Sequence, residues 1–283
     1  MNKMHPQPAF ALLGASRVGL ALACQLQRIG WQPALLWNHR QGGLRRAENW
    51  IKFTQSTTRL TDLPSAVWWI IIAVTDDAIE DVVAGLSTSK TELQGRRIIH
   101  VSGWHTSQIL APLREKGART GSLHPVVSIP TVAEGIRILN SCVYTCEGNL
   151  RRELAGLVAR LGGKPFCLNQ RQKKFIHLAA VLLNNYNMVL IEAVKRFGNR
   201  YRILPDTLEA ILQPIVHQAA ATDWNKSLTE TLTGPLRRGD QKTIEAHRRM
   251  LNEHPSMQRV YEDFIALTVE LLALKKTNKQ VIK

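Results

Sequence analysis

Two periodicities divide the chain. Up to residue 168, short apolar runs alternate with segments whose apolar residues recur every three or four positions; beyond it only the longer period remains. The runs predict strands at 8–13, 32–37, 68–74, 97–101, 119–122, 140–146 and 165–168. Between them Ile79, Val82, Val83 and Leu86 share one helical face. "SQILAPLREKG" and "LRRELAGLVARLGG" read as further helices, each closed by glycine. Helical spacing then covers 172–198, 204–221, 239–252 and 255–275. Strand–helix alternation is the signature of a doubly wound sheet. The expected fold is therefore an α/β Rossmann-like N-terminal domain, residues 1–168, followed by an all-α C-terminal domain, residues 169–283.

The first strand runs into Gly14-Ala15-Ser16-Arg17-Val18-Gly19, close to the dinucleotide fingerprint G-x-G-x-x-G with serine at its middle glycine. In such a turn the first glycine permits the bend and the third lets helix pack on strand, while phosphates sit at the helix N-terminus. Gly14 and Gly19 keep those roles, and Ser16 brings a hydroxyl that can donate to a phosphate oxygen. Arg17 and Val18 complete the turn, and Val74 and Asp76, after the 68–74 strand, are expected to border the cofactor. An acidic residue ending the second strand would bind the ribose hydroxyls and repel a 2′-phosphate. The sequence there is "LLWNHRQGGLRR", with no Asp or Glu between Ala34 and Arg46. Arg40 offers a permanently charged fork, and Asn38 and His39 add donors, which selects NADP(H) over NAD(H).

Composition narrows the class. At 283 residues and 45% hydrophobic, the chain can bury a full core. A net charge of +15 invites a nucleic-acid reading, but the basic residues are scattered and no recognition motif accompanies them. That charge suits a small anionic substrate, and no nucleic-acid partner is expected. The longest apolar run, "AVWWIIIAV", fits a buried strand, so no membrane association is expected, and "MNKMHPQP" lacks a signal-peptide core, which suggests a cytoplasmic protein. Cys24, Cys142, Cys146 and Cys167 are read as buried thiols, with no metal site.

A reductase of a carbonyl or imine needs a proton donor and groups that orient substrate. Ser102 and His124 follow predicted strands and are candidates at the sheet's carboxyl edge; capping a helix and satisfying a turn are their structural alternatives. On the helix at 172–198, seven and eight residues separate His177 from Asn184 and Asn185, which places them on one face of an otherwise apolar run. His177 and Asn185 are read as catalytic and Asn184 as substrate-binding. Lys173 and Lys174 are read as solvated. "TLTGPLRRGD" is a turn-rich break between helices. There Thr233, Gly234, Arg238 and Asp240 are candidate substrate residues, Arg238 either pairing with Asp240 or clamping a carboxylate.

The segments "AVTDDAI", "IIHVSGWHTSQILAPL", "GSLHPVVS", "IHLAAVLLNN" and "LTGPLRRGDQKTIEAH", in this order, resemble a bacterial family. That family pairs a Rossmann-like domain with a helical domain of unknown function, and is similar in architecture to pyrroline-5-carboxylate reductase, prephenate dehydrogenase and ketopantoate reductase. Ser16 departs from the usual glycine, and Ile176 from a tyrosine common before the histidine. The resemblance implies an NADP-dependent oxidoreductase with its active site between the domains and a homodimer formed through the helical one. Ketopantoate is the first substrate to expect. A cyclic imino acid, or a non-catalytic NADP(H) sensor, are the alternatives.

Overall fold

The computed structural model describes residues 7–61 and 63–281, with side chains through Ala273. The strands are β1 (Ala9–Leu13), β2 (Gln32–Trp37), β3 (Gln55–Thr57), β4 (Trp69–Ile72), β5 (Arg97–His100), β6 (Arg119–Pro125), β7 (Val143–Gly148) and β8 (Lys164–Cys167). They form one sheet in the order β3-β2-β1-β4-β5-β6-β7-β8. All neighbours pair in parallel except β6 and β7, which run antiparallel with Ser122 opposite Glu147. The helices α1 (Arg17–Arg28), α2 (Gln41–Glu48), α3 (Ile79–Thr88), α4 (Ala111–Glu115), α5 (Val132–Ile138) and α6 (Arg151–Leu161) connect them.

Alternate strand residues point to opposite faces, and both faces are apolar because helices cover both. Phe10, Leu12, Ile71 and Ile99 pack with Leu22 and Leu26 of α1 and with Leu154 and Val158 of α6. Ala11, Leu13, Ile70, Ile72 and Ile98 pack instead with Val82 and Leu86 of α3. Every strand expected from the sequence is present. The additional β3 is a three-residue edge strand, Gln-Ser-Thr, with no apolar signal. The cysteines correct the sequence reading in part: Cys24 and Cys146 are buried, Cys142 is half-buried, and Cys167 is exposed on β8 at the sheet edge.

The chain then continues through α7 (Gln170–Ala180), a π turn (Val181–Asn185) and α8 (Tyr186–Arg200). Two compact units meet inside this helix, the first ending at Asn185 and the second beginning at Tyr186. The sequence places the division at 168/169; the difference arises because α7 is fixed to the sheet-bearing unit, as described below. An 18-residue window within this 31-residue stretch reaches mean hydropathy 1.2, long and apolar enough by length and composition alone to cross a membrane. His177 and three asparagines interrupt it, so no unbroken apolar run of that length occurs there.

The second unit contains α8, α9 (Pro205–Ala220), α10 (Leu228–Thr231), α11 (Pro235–Arg238), α12 (Gln241–Leu251) and α13 (Pro255–Val281). Arg248 holds Glu262 through two bonds, Nε to Oε1 at 2.8 Å and Nη2 to Oε2 at 2.9 Å. The Phe197 ring meets His254 edge-on at 4.5 Å. Many large apolar side chains on its helices are exposed, including Met188, Val189, Ile211, Ile215 and Trp224.

Candidate active site

The turn between β1 and α1 has the geometry that its glycines imply. Gly14 sits at φ +103°, and a Cβ there would lie 2.5 Å from the Ala73 carbonyl oxygen. A Cβ on Gly19 would collide with that of Ala73, so this glycine sets how closely α1 approaches β4. Ser16 is the N-cap of α1: its Oγ accepts from the Gly19 N–H at 3.1 Å, which leaves its own proton to donate. The first turn of α1 has no acidic residue, so its open N–H groups and positive dipole end are uncompensated. Arg17 donates through Nη1 to the Pro130 carbonyl at 2.7 Å, a bond that directs its guanidinium toward the loop after β6. Val18 is half-buried against the core. Val74 lies beside Gly14 and closes that turn from the β4 side.

At the end of β2, His39 and Arg40 are exposed. Asn38 is not. It is 8% exposed, its Oδ1 accepts from the Ala15 N–H at 3.3 Å, and its Nδ2 donates to the Arg40 carbonyl at 2.8 Å. Asn38, expected from the sequence to add a donor for the phosphate, has its amide committed to the Arg40 carbonyl instead. Its amide ties the β1 turn to the β2 turn and braces both.

A second group gathers where β5 and β6 end. A Cβ on Gly103 would collide with Nδ1 of His177 and lie 2.8 Å from Nε2 of His124, so the two imidazoles meet over a bare glycine. Their rings stand edge-on at 5.9 Å, and Trp104 lies 6.3 Å from His177. His124 Nδ1 is 3.2 Å from the Val101 carbonyl, which leaves Nε2 for other work. Ser102 is buried, its Oγ accepting from the His105 N–H at 3.0 Å, so it holds the turn as well as bordering the site.

Lys173 was expected in solvent, and the structure corrects this. It is 1% exposed, and its Nζ donates to both the Ser102 and the Gly103 carbonyls at 2.7 Å. Lys173 and His177 are one turn apart on α7, a helix started by a capping box at Asn169 and Gln172. That spacing was the available signal. Lys174 does stay exposed, stacked over Trp104 at 5.1 Å. Sequence reasoning also missed Glu147, a buried carboxylate that accepts from Ser107 N–H and Oγ at 2.6 and 2.8 Å, and His100, fully buried on β5 with both ring nitrogens unpartnered.

Burial and the nearby Lys173 charge depress these histidines. His100 is pushed down to about 3 and His124 to about 4, while His177, half-buried, is lowered for the same two reasons. Burial also lowers Lys173, to about 8, with Glu147 and Asp76 opposing. Asp76, exposed at the start of a short 3-10 turn, opposes the depression of His124 and His177 too, so it belongs electrically to this cluster.

Asn184 and Asn185 are exposed in the π turn and bond to each other at 3.1 Å, and among the described residues neither bonds to His177. Between His177 and the asparagines the helix passes into the π turn, so α-helical spacing alone does not set their relative rotation. In the second unit, Thr233 is exposed and Gly234 begins α11 at φ +97°. Arg238 is exposed, and Asp240 caps α12 by accepting from Thr243 N–H and Oγ1 at 3.2 and 2.7 Å. Of the two roles open to Arg238, the ion pair is not formed as a contact among the described residues, and Asp240 serves as a cap. Among the described residues no cluster of His, Cys, Asp or Glu is placed to hold a metal.

Residues 4–125 match the model of a Rossmann-like domain, and residues 141–268 match a domain of unknown function, DUF2520. No curated protein matches the chain. Among solved structures, BF3122 of Bacteroides fragilis, described by inference as an NADP oxidoreductase, has a TM-score of 0.75 at 20% identity, over 93% of this chain and 98% of its own. A reductive aminase from Aspergillus terreus, in complex with NADPH and ethyl levulinate, has a TM-score of 0.67 at 15% identity, over 94% of each chain. An imine reductase from Myxococcus stipitatus, in complex with NADP+, has a TM-score of 0.66 at 13% identity, over 94% of this chain and 95% of its own. The two models thus divide the chain between them, the Rossmann-like match over the sheet-bearing half and the DUF2520 match over 141–268.

Proposed function

We propose that this protein is an NADPH-dependent reductase of a small anionic carbonyl or imine compound. The observation that carries the reading is the β1–α1 turn, whose glycines leave no room for a side chain at a helix N-terminus free of acidic residues. The pyrophosphate would lie at Gly14–Gly19, with Ser16 donating, and Arg40 and His39 would face the 2′-phosphate. Bound NADPH supplies a hydride. The chain supplies His124 and His177, both uncharged at neutral pH, to hydrogen-bond the substrate's oxygen or nitrogen, and Lys174 over Trp104 to attract its negative group. The Arg238 loop is a further candidate for the carboxylate.

Of the two substrate classes, the imine is favoured. Proteins named as reductive aminase and imine reductase share this fold over nearly the whole chain, and ketopantoate rests on resemblance of sequence segments alone. A screen following NADPH oxidation decides between them. Turnover of cyclic imines is expected; turnover of ketopantoate alone overturns the imine preference, and absence of NADPH binding overturns the whole reading. The proposal includes a homodimer through the helical unit, since helices with apolar residues exposed on several sides need a cover.

A further inference from the structure

We propose that Lys173 is a positioning residue of the site: its buried ammonium fastens the Ser102–Gly103 turn to α7, and so fixes where His124 and His177 meet. A buried ammonium is costly unless its hydrogen bonds are made, and this one makes two, to consecutive carbonyls of one turn. Those carbonyls belong to the residue that caps the turn and to the glycine over which both imidazoles lie. A residue that only filled space at this point of α7 would be apolar. Two bonds from one rigidly placed donor instead lock the turn in register with the helix that carries His177 one turn further on.

The charge has a second effect. Three imidazoles around Lys173 feel its charge, and two carboxylates offset it. On β5 is His100, on β6 His124 and on α7 His177, each depressed by the ammonium. His105, on the turn itself, acts on His100, and Lys174 adds a second cation, stacked on Trp104. Glu147 on β7 and Asp76 after β4 are the opposing carboxylates. Lys173 therefore sets both the place of the two imidazoles and the pH range over which they stay neutral.

The experiment is a histidine-ring NMR titration of the full chain, unmodified and with Lys173→Met, together with NADPH titration and steady-state kinetics. In Lys173→Met the ring signals of His124 and His177 should titrate at least half a pH unit higher. kcat for the screened substrate should fall about tenfold or more, with NADPH affinity within twofold. Lys174→Met should leave both ring titrations in place. A folded Lys173→Met protein with unchanged ring titrations overturns the proposal. Should that variant not fold, the unmodified protein decides: the His124 and His177 signals should show a second inflection near pH 8, where Lys173 titrates, and a flat trace there overturns the proposal. The inference rests on the reductase reading only for the kinetic arm. Ring titrations that behave as expected in a protein that binds no NADPH would refute that reading and leave Lys173's role standing.

Discussion

At the scale of single residues, three side chains or their absence carry separable consequences. Arg40, exposed at the end of β2, is the charge that the proposed reading sets against a 2′-phosphate. Arg40→Ala should weaken NADPH by about ten- to a hundredfold, the value of a charge-assisted bond at roughly 1.5–3 kcal/mol, and leave NADH nearly unchanged, as fluorescence titration of both would show. Ser16→Asp keeps an N-cap but sets a carboxylate where the pyrophosphate would lie, so α1 should persist by circular dichroism while NADPH binding is lost. Gly103→Ala tests the floor under the imidazoles. The added methyl meets only side-chain ends, so the protein should fold; the displaced rings should cost tenfold or more in turnover, with NADPH affinity kept.

At the scale of elements, the polar layer where β5, β6 and β7 meet α7 sets an acid limit. His100 and His124 are held neutral in the folded chain down to about 3 and about 4, against 6.5 for an ordinary imidazole. The unfolded chain takes up these protons first. The contribution of these two histidines is therefore full above pH 6.5 and falls as the pH drops toward 4, by on the order of a few kcal/mol. Urea midpoints at pH 7 and 4.5 should show the fall, and His100→Leu should reduce it; an equal fall in that variant would assign the acid sensitivity elsewhere. The strands of the sheet were legible because their apolar runs are bounded by Gly and Pro, and the turn at Gly14–Gly19 because its glycines have a geometric reason. Three things were not. β3 is short, polar and held only by its neighbour's backbone. Asn38 reads as an exposed donor until the turn it braces is seen. Lys173 reads as solvated because lysine usually is, and only its spacing from His177 hinted otherwise.

At the scale of the whole molecule, the two units differ in how they meet water. The sheet-bearing unit buries its apolar residues in two layers, one on each face. In the helical unit, Leu208, Ile244 and Leu251 are the buried apolar residues among those described, while Ile211 and Ile215 of α9 are about 60% exposed. The dimer proposed above would cover these side chains with a second copy. Sedimentation at micromolar concentration should give twice the chain mass, and Val189→Asp with Ile215→Asp should return the single-chain value with the sheet intact. A single-chain mass for the unmodified protein would refute the dimer.

β8 is the last strand of the sheet and touches a single neighbour, β7. One residue beyond it, Leu168 N–H still bonds to the Cys146 carbonyl, and Asn169 then begins the helix that carries Lys173. Edge strands open more often than central ones, and an opening here travels straight into the first turn of α7. Amide exchange across residues 164–173 should therefore be faster than in β1 or β4, and any ligand that engages His177 should slow it. The sheet margin thus serves as a built-in reporter: deuterium uptake along this short stretch should read whether the proposed site is occupied, with no chemical label and no turnover.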